Sequence, residues 1–192
     1  MNYPHRPPVE APTKYRLTVD DVFKMQDAGV LPPDHRFELI HGDLIEMPSE
    51  GDLHSYVKAR LIWHFNRFLD PALYAVGPDT TFFLEKHEAP EPDIFLHAAD
   101  LRPSQVRGEN ALLVIEIANT SLDYDLTEKA DLYLGFGVRE YWVIDVQKRV
   151  THVHLLDGKA WRKAEPVAFT EQLRPTLVDG ADVRLSDLIV GV

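Results

Sequence analysis

Leu112-Leu113-Val114-Ile115-Glu116-Ile117-Ala118 is a near-continuous apolar run broken by a single carboxylate, and its reading decides the fold. A run of this kind is a buried strand. An ionised carboxylate inside it costs several kcal/mol unless a cation or strong hydrogen-bond donors meet it. Upstream stands Pro92-Asp93, opening a second apolar segment to Leu96. Downstream come a helix-like segment carrying Lys129 and a further apolar run, Tyr141 to Val146. Two acids on apolar strands with a lysine close behind are what hydrolytic Mg²⁺ chemistry on phosphodiesters requires.

Working outward, Thr18 and Asp21 mark a helix start, and Gly29 marks its stop. Phe37–Ile40 and Leu44–Met47 flank His41-Gly42-Asp43 as a β-hairpin. Leu53, Tyr56, Val57, Leu61, His64, Phe65 and Phe68 recur at helical spacing ahead of Pro71. Strands are predicted over Leu73–Val76, Thr80–Leu84, Asp93–Leu96 and Leu112–Ala118. A helix over Asp125–Gly135 and a strand over Tyr141–Val146 follow. Arg149–Leu156 is expected to pair with Lys159–Lys163 across Asp157-Gly158, and Val183–Val190 to close with a short helix led by Ser186. This order predicts an α/β fold, a mixed sheet with helices on its faces.

A chain of 192 residues with 45% apolar and 27% charged residues is read as one globular domain, residues 15–192, behind a flexible lead of residues 1–14. Met1–Pro12 has four prolines and no apolar core, so it reads as neither signal peptide nor anchor. There is no cysteine, which removes disulfides and thiolate metal sites and fits a reducing, cytoplasmic setting. No run approaches the roughly 18 apolar residues a membrane span needs. A net charge of −11 argues against a protein that coats nucleic acid, since such proteins are basic. Local clusters can still contact phosphates. Lys148, Arg149, Lys159, Arg162 and Lys163 form one basic stretch, and Lys58, Arg60 and Arg67 another; taken singly, each reads first as an ordinary solvated face.

Because side chains alternate along a strand, Glu116 shares a face with Val114 and Ala118. Neighbouring strands lie about 4.8 Å apart, so Asp93 and Glu116 can bracket one divalent ion, with Glu38 on the hairpin as a third ligand. Oxygen donors without thiolates suit Mg²⁺ or Mn²⁺ better than Zn²⁺. Lys129 follows Asp125 by four residues on one helix face and can offset charge on the pentacoordinate phosphate. Blander readings stand beside these. Asp93 can cap a turn, Lys129 can be a surface lysine, and His54 can be a cap or a substrate contact. His152 and His154 share a strand face but lack a third ligand, and Trp142 reads as core.

At these residues the chain resembles a known family. Phe37-Glu38-Leu39-Ile40-His41-Gly42-Asp43-Leu44, Pro92-Asp93-Ile94, Val114-Ile115-Glu116-Ile117-Ala118, Asp125 with Lys129 and Tyr133, and Gly137 through Asp145 together resemble the Uma2 (DUF820) family of the PD-(D/E)XK nuclease superfamily. The resemblance runs from about Leu17 to Leu188. It implies a restriction-endonuclease-like core and a Mg²⁺-dependent site, with Asp93 as the PD aspartate, Glu116 as the strand glutamate and Glu38 as the N-terminal glutamate. Where E-x-K would place a lysine, this chain has Ala118; the resemblance implies that the lysine has migrated to Lys129.

Two functions compete. One is an endonuclease whose carboxylates Glu38, Asp93 and Glu116 hold Mg²⁺ (or Mn²⁺) while Lys129 stabilises the transition state. Its DNA contacts would be drawn from Lys148, Arg149, Arg162, Lys163 and His54; RNA is the alternative substrate. The other is a catalytically silent nucleic-acid-binding or interaction protein on the same scaffold. A small-molecule hydrolase lacks both G-x-S-x-G and cysteine. The nuclease reading expects a homodimer, with apolar edges of Tyr141–Val146 and Val150–Leu156 as contact surfaces. It also expects Lys129→Ala to abolish cleavage with little effect on folding.

Overall fold

The computed structural model describes residues 13–162 and 164–189. Thr18 starts α1 (Val19–Asp27) through a capping box: its hydroxyl accepts from Asp21 N, and the Asp21 carboxylate accepts from Thr18 N. β1 (Arg36–Ile40) and β2 (Asp43–Met47) pair antiparallel with Ile40 opposite Asp43. His41 and Gly42, at φ 54° and 76°, make the two-residue turn that suits the strand twist. A Cβ on Gly42 would lie 2.6 Å from Arg16 Cβ, so the close approach of the preceding chain also demands glycine there.

α2 (Asp52–Phe68) buries Val57, Leu61, His64 and Phe65 along one stripe, as its spacing predicts. The main sheet runs β3 (Tyr74–Pro78), β4 (Ile94–Ala98), β5 (Leu113–Ala118), β6 (Glu140–Asp145), β7 (Val150–Asp157), β8 (Ala160–Trp161), with β9 (Val167–Ala168) also on β7. β5 and β6 are parallel and the other pairs antiparallel, so the sheet is mixed. All six residues of β5 are buried, because both faces are covered. Ile94, Ile115, Ile117 and Trp142 pack on α2 and on α5 (Leu185–Leu188). Phe95, Val114, Ala118 and Val143 pack on the opposite side with Ala130, Leu132 and Tyr133.

Several local expectations differ from the structure. Thr80–Leu84 is not a strand: Phe82 N donates to Pro90 O, but Pro90 has no N–H to return the bond, and Ala89 pairs with Leu39 instead. The helix expected over Asp125–Gly135 starts earlier and is not uniform. It comprises α3 (Leu122–Tyr124), a π-helical turn (Asp125–Lys129) and α4 (Ala130–Gly135). β6 is no edge, since β5 and β7 pair with it on either side, which removes it as a docking edge. Lys163 and Val190 lie outside the described residues, as does most of the lead at 1–14. No helix among the described residues is long and apolar enough to cross a membrane.

Candidate active site

β4 and β5 pair with Ile94 opposite Ile115, and continuing that register by one residue sets Asp93 opposite Glu116. Both carboxylates therefore fall on the face that carries Phe95 and Val114. The backbone ties them: Ile117 N donates to Asp93 Oδ2 at 2.7 Å, and Asp93 N to Glu116 Oε2 at 3.4 Å.

From the covering helix, Lys129 Nζ donates to Glu116 Oε1 at 2.9 Å and to Glu38 Oε1 at 3.0 Å. Tyr133, one helical turn on, donates its hydroxyl to the same Glu116 oxygen at 2.9 Å. Ala118 is buried on this same face, and the lysine comes from the helix instead. The π turn aims Asp125 and Lys129 inward together, and both are buried. Glu38 is fully buried on β1, and Glu91 N donates to its Oε1 at 2.8 Å. Glu38 Oε2 has no hydrogen-bond partner among the described residues.

One lysine thus faces several carboxylates. Burial pushes Glu116 well above the usual carboxylate range; Lys129 opposes this, and Asp93, Asp125 and Glu38 add to it. Burial likewise raises Asp125 to about 6, although Lys129 and the Ser121 hydroxyl pull it down. Burial alone would lower the Lys129 ammonium, but Glu116, Glu38 and Asp125 outweigh it and hold the proton more firmly than usual. Surplus negative charge and an unpartnered Glu38 oxygen, all hard oxygen donors, fit a divalent cation such as Mg²⁺ or Mn²⁺.

A second group abuts this one at Asp93. His54 Nε2 lies 3.0 Å from Asp93 Oδ2, and His54 Nδ1 lies 3.3 Å from Glu50 Oε2. Lys58 bonds Glu50 Oε1, donates to Asp79 Oδ1 at 2.7 Å and stands 3.7 Å from Asp93 Oδ1. Burial is the largest single influence and would lower the His54 imidazole, but the bond to Asp93 and the charges of Asp93 and Glu50 together outweigh it, and the net shift is upward. Burial works against the Glu50 carboxylate too, yet Lys58, His54 and Arg36 hold it down at about 2. A cavity of about 350 Å³ opens over both groups, lined by Arg36, Glu50, His54, Asp93, Glu116 and Lys129 among others.

The structure brings Glu38, Asp93, Glu116 and Lys129 together, with His54 beside them. It separates the proposed DNA contacts. Lys148 and Arg149 lie in the β6–β7 turn, at the end of the sheet where Ala118 leads into Asn119 and the cavity. Arg162 follows β8 at the opposite end, its N–H donating to Leu155 O across from Glu140. Lys58 leaves the basic surface altogether, because it is buried among carboxylates. Lys129 is only 2% exposed, so the expectation that its removal spares folding gives way to a stability cost. Sequence reasoning missed Glu50 and Lys58. Their signal was the i, i+4, i+8 spacing of Glu50, His54 and Lys58, which puts His54 and Lys58 on one side of α2 with Glu50 just ahead of its N-cap Gly51.

The mixed sheet, its covering helices and the carboxylate–lysine cluster at a sheet end define a restriction-endonuclease-like core. The family model of Uma2, described as "Putative restriction endonuclease", matches residues 19–186, and the chain belongs to this family. A crystal structure described as a putative nuclease belonging to DUF820, from Anabaena variabilis ATCC 29413, superimposes with a TM-score of 0.71 at 17% identity. It covers 90% of this chain and 97% of that one. The type IIG restriction endonuclease BpuSI aligns at a TM-score of 0.42 and 15% identity, over 65% of this chain and 15% of that one. No curated protein matches the sequence. Family and fold together place the chain among restriction-endonuclease-like nucleases.

Proposed function

We propose that this chain is a Mg²⁺- or Mn²⁺-dependent endonuclease that hydrolyses DNA phosphodiester bonds. Asp93, Glu116 and Glu38 are its cation-holding carboxylates, and Lys129 is the group that stabilises the transition state. The observation that carries this reading is the pairing of Asp93 with Glu116 on one sheet face while Lys129 Nζ reaches Glu116 Oε1. When bound, the cation supplies Lewis acidity at the phosphoryl oxygen and eases deprotonation of a water. Lys129 remains an ammonium because its carboxylate neighbours outweigh its burial, so it serves as donor and positive charge rather than as base. Removing one such preorganised donor costs on the order of 10²–10³ in rate. Glu116 and Glu38 accept from that ammonium and fix where it points, while Tyr133 anchors the Glu116 oxygen.

This reading takes residues 15–192 as one nuclease domain behind the lead at 1–14, acting in the cytoplasm. One site cuts one strand, so double-strand cleavage would come from a two-fold homodimer. Sedimentation at micromolar concentration checks the dimer, and a monomer there argues against it. The test of the activity is supercoiled plasmid with purified protein in Mg²⁺, Mn²⁺ or chelator. Nicking is expected with either metal, none with chelator, and none for Asp93→Asn or Glu116→Gln; a matched RNA substrate decides the nucleic acid. Absence of nicking in every metal turns the reading to a silent scaffold. What favours that alternative is that Lys129, His54 and Lys58 already pair with the carboxylates.

A further inference from the structure

We propose that Glu50, His54 and Asp93 form a mixed nitrogen–oxygen cation site, which makes Mn²⁺ or a similar divalent transition metal the preferred ion of this chain over Mg²⁺. The use of this site rests on the nuclease reading above. One ligand atom from each of the three residues lies within 4.8 Å of the others, so a single ion can meet all three. Between Glu38 and Glu116, Lys129 Nζ takes the two Oε1 atoms at 3.0 and 2.9 Å, so that pair offers an ion only oxygen, through the Oε2 atoms. Lys58 takes Glu50 Oε1 and faces Asp93 Oδ1, which leaves Glu50 Oε2 and Asp93 Oδ2 turned to His54. Lys58 is therefore a positioning residue: it occupies one oxygen side of each carboxylate and leaves the other toward the imidazole, Glu50 Oε2 by Nδ1 and Asp93 Oδ2 by Nε2.

His54 Nδ1 is buried and makes no hydrogen bond among the described residues, although Glu50 Oε2 is only 3.3 Å away. Its ring lies in the first turn of α2, and Asp93 is anchored by Ile117 N at the mouth of β4, so two ordered elements carry the donors. Imidazole discriminates between ions. Mg²⁺ favours oxygen ligands and retains waters, whereas Mn²⁺ and later divalent metals accept a ring nitrogen more readily. Asp93 belongs to this group and to the pair with Glu116, so an ion here stays in touch with the proposed catalytic face.

The test is Mn²⁺ binding to the full chain, followed by electron paramagnetic resonance with pulsed detection of nitrogen hyperfine coupling. The wild type and Glu38→Gln should both show coupling to ¹⁴N. His54→Gln should lose it and bind Mn²⁺ at least about ten-fold more weakly, the size of loss seen when even a supporting group is removed from a metal ligand. Glu50→Gln, at a partly exposed position, should weaken Mn²⁺ without abolishing the coupling, and circular dichroism confirms that each variant is folded. Mg²⁺ should compete poorly in the wild type and about ten-fold better relative to Mn²⁺ in His54→Gln. Wild-type Mn²⁺ without ¹⁴N coupling, or unchanged affinity in His54→Gln, overturns the proposal. Plasmid nicking separates the two readings: nicking in Mg²⁺ by an uncoupled wild type removes this site and leaves the nuclease standing. A coupled wild type that nicks nothing leaves the site and removes the nuclease.

Discussion

Asp125→Asn should make the protein more stable at neutral pH. The side chain is buried in the π turn, with the Ser121 hydroxyl donating to its Oδ2 at 2.6 Å. Burial carries its pKa from the ordinary 3.8 to about 6, against the pull of Lys129 and Ser121 and with help from Asp93 and Glu38. Between those values the folded chain keeps a proton that the unfolded chain has released. Stability therefore falls as pH rises through this window, and the whole loss is present above about 6 and absent below 3.8. At about 1.4 kcal/mol per pH unit, the interval amounts to about 3 kcal/mol. Asparagine has the same shape, can still accept from Ser121, and carries no charge. A gain of about 1–3 kcal/mol at pH 7.5 should follow, which for a chain of this length is a rise of roughly 2–12 °C in Tm. Thermal unfolding followed by circular dichroism at pH 7.5 and pH 3.5 reads it directly. The gain should vanish at the lower pH and shrink when millimolar Mn²⁺ supplies a counter-charge. A variant no more stable than wild type at pH 7.5, or equally stabilised at both pH values, would refute the reasoning.

Lys129→Met should abolish nicking and destabilise the fold by about 3–5 kcal/mol, because it strands buried carboxylates; urea titration should show a smaller loss when Glu116→Gln is already present. Lys148→Ala with Arg149→Ala, at the sheet end that holds the site, should weaken DNA binding and flatten its salt dependence by about two phosphate contacts. Arg162→Ala, at the other end, should change neither, and an equal effect in a filter-binding titration would count against this division. Gly108→Ala should cost about 1–3 kcal/mol in chemical denaturation, since its Cβ would sit 2.1 Å from Phe136 O. Mn²⁺ affinity should stay at the wild-type value in that variant.

Periodicity and capping chemistry alone determined most of the elements. The Thr18 capping box, the His41-Gly42 turn, the stripe of α2 and the alternation that faces Glu116 toward Val114 and Ala118 are all local rules, and local rules are written in neighbouring residues. The odd carboxylate in an apolar run also pointed to Glu116 without any coordinates, because burying a charge demands a partner somewhere. Which partner it finds is a tertiary matter. Lys129 reaches Glu116 from 13 residues away and Glu38 from 91, through a helix whose π turn leaves no mark in its periodicity. Pairing likewise decided that Thr80–Leu84 stays out of the sheet, because Leu39 competes for Ala89 and Pro90 offers no donor. The same pairing sends Lys148 and Arg162, close in sequence, to opposite ends of β7. His54 and Lys58 read as surface residues of the helix until the chain entering β4 brought Asp93 against them. Spacing along one element fixes which side chains share a face, while the charges that meet across elements are set only when strands choose their neighbours and bring distant residues into contact.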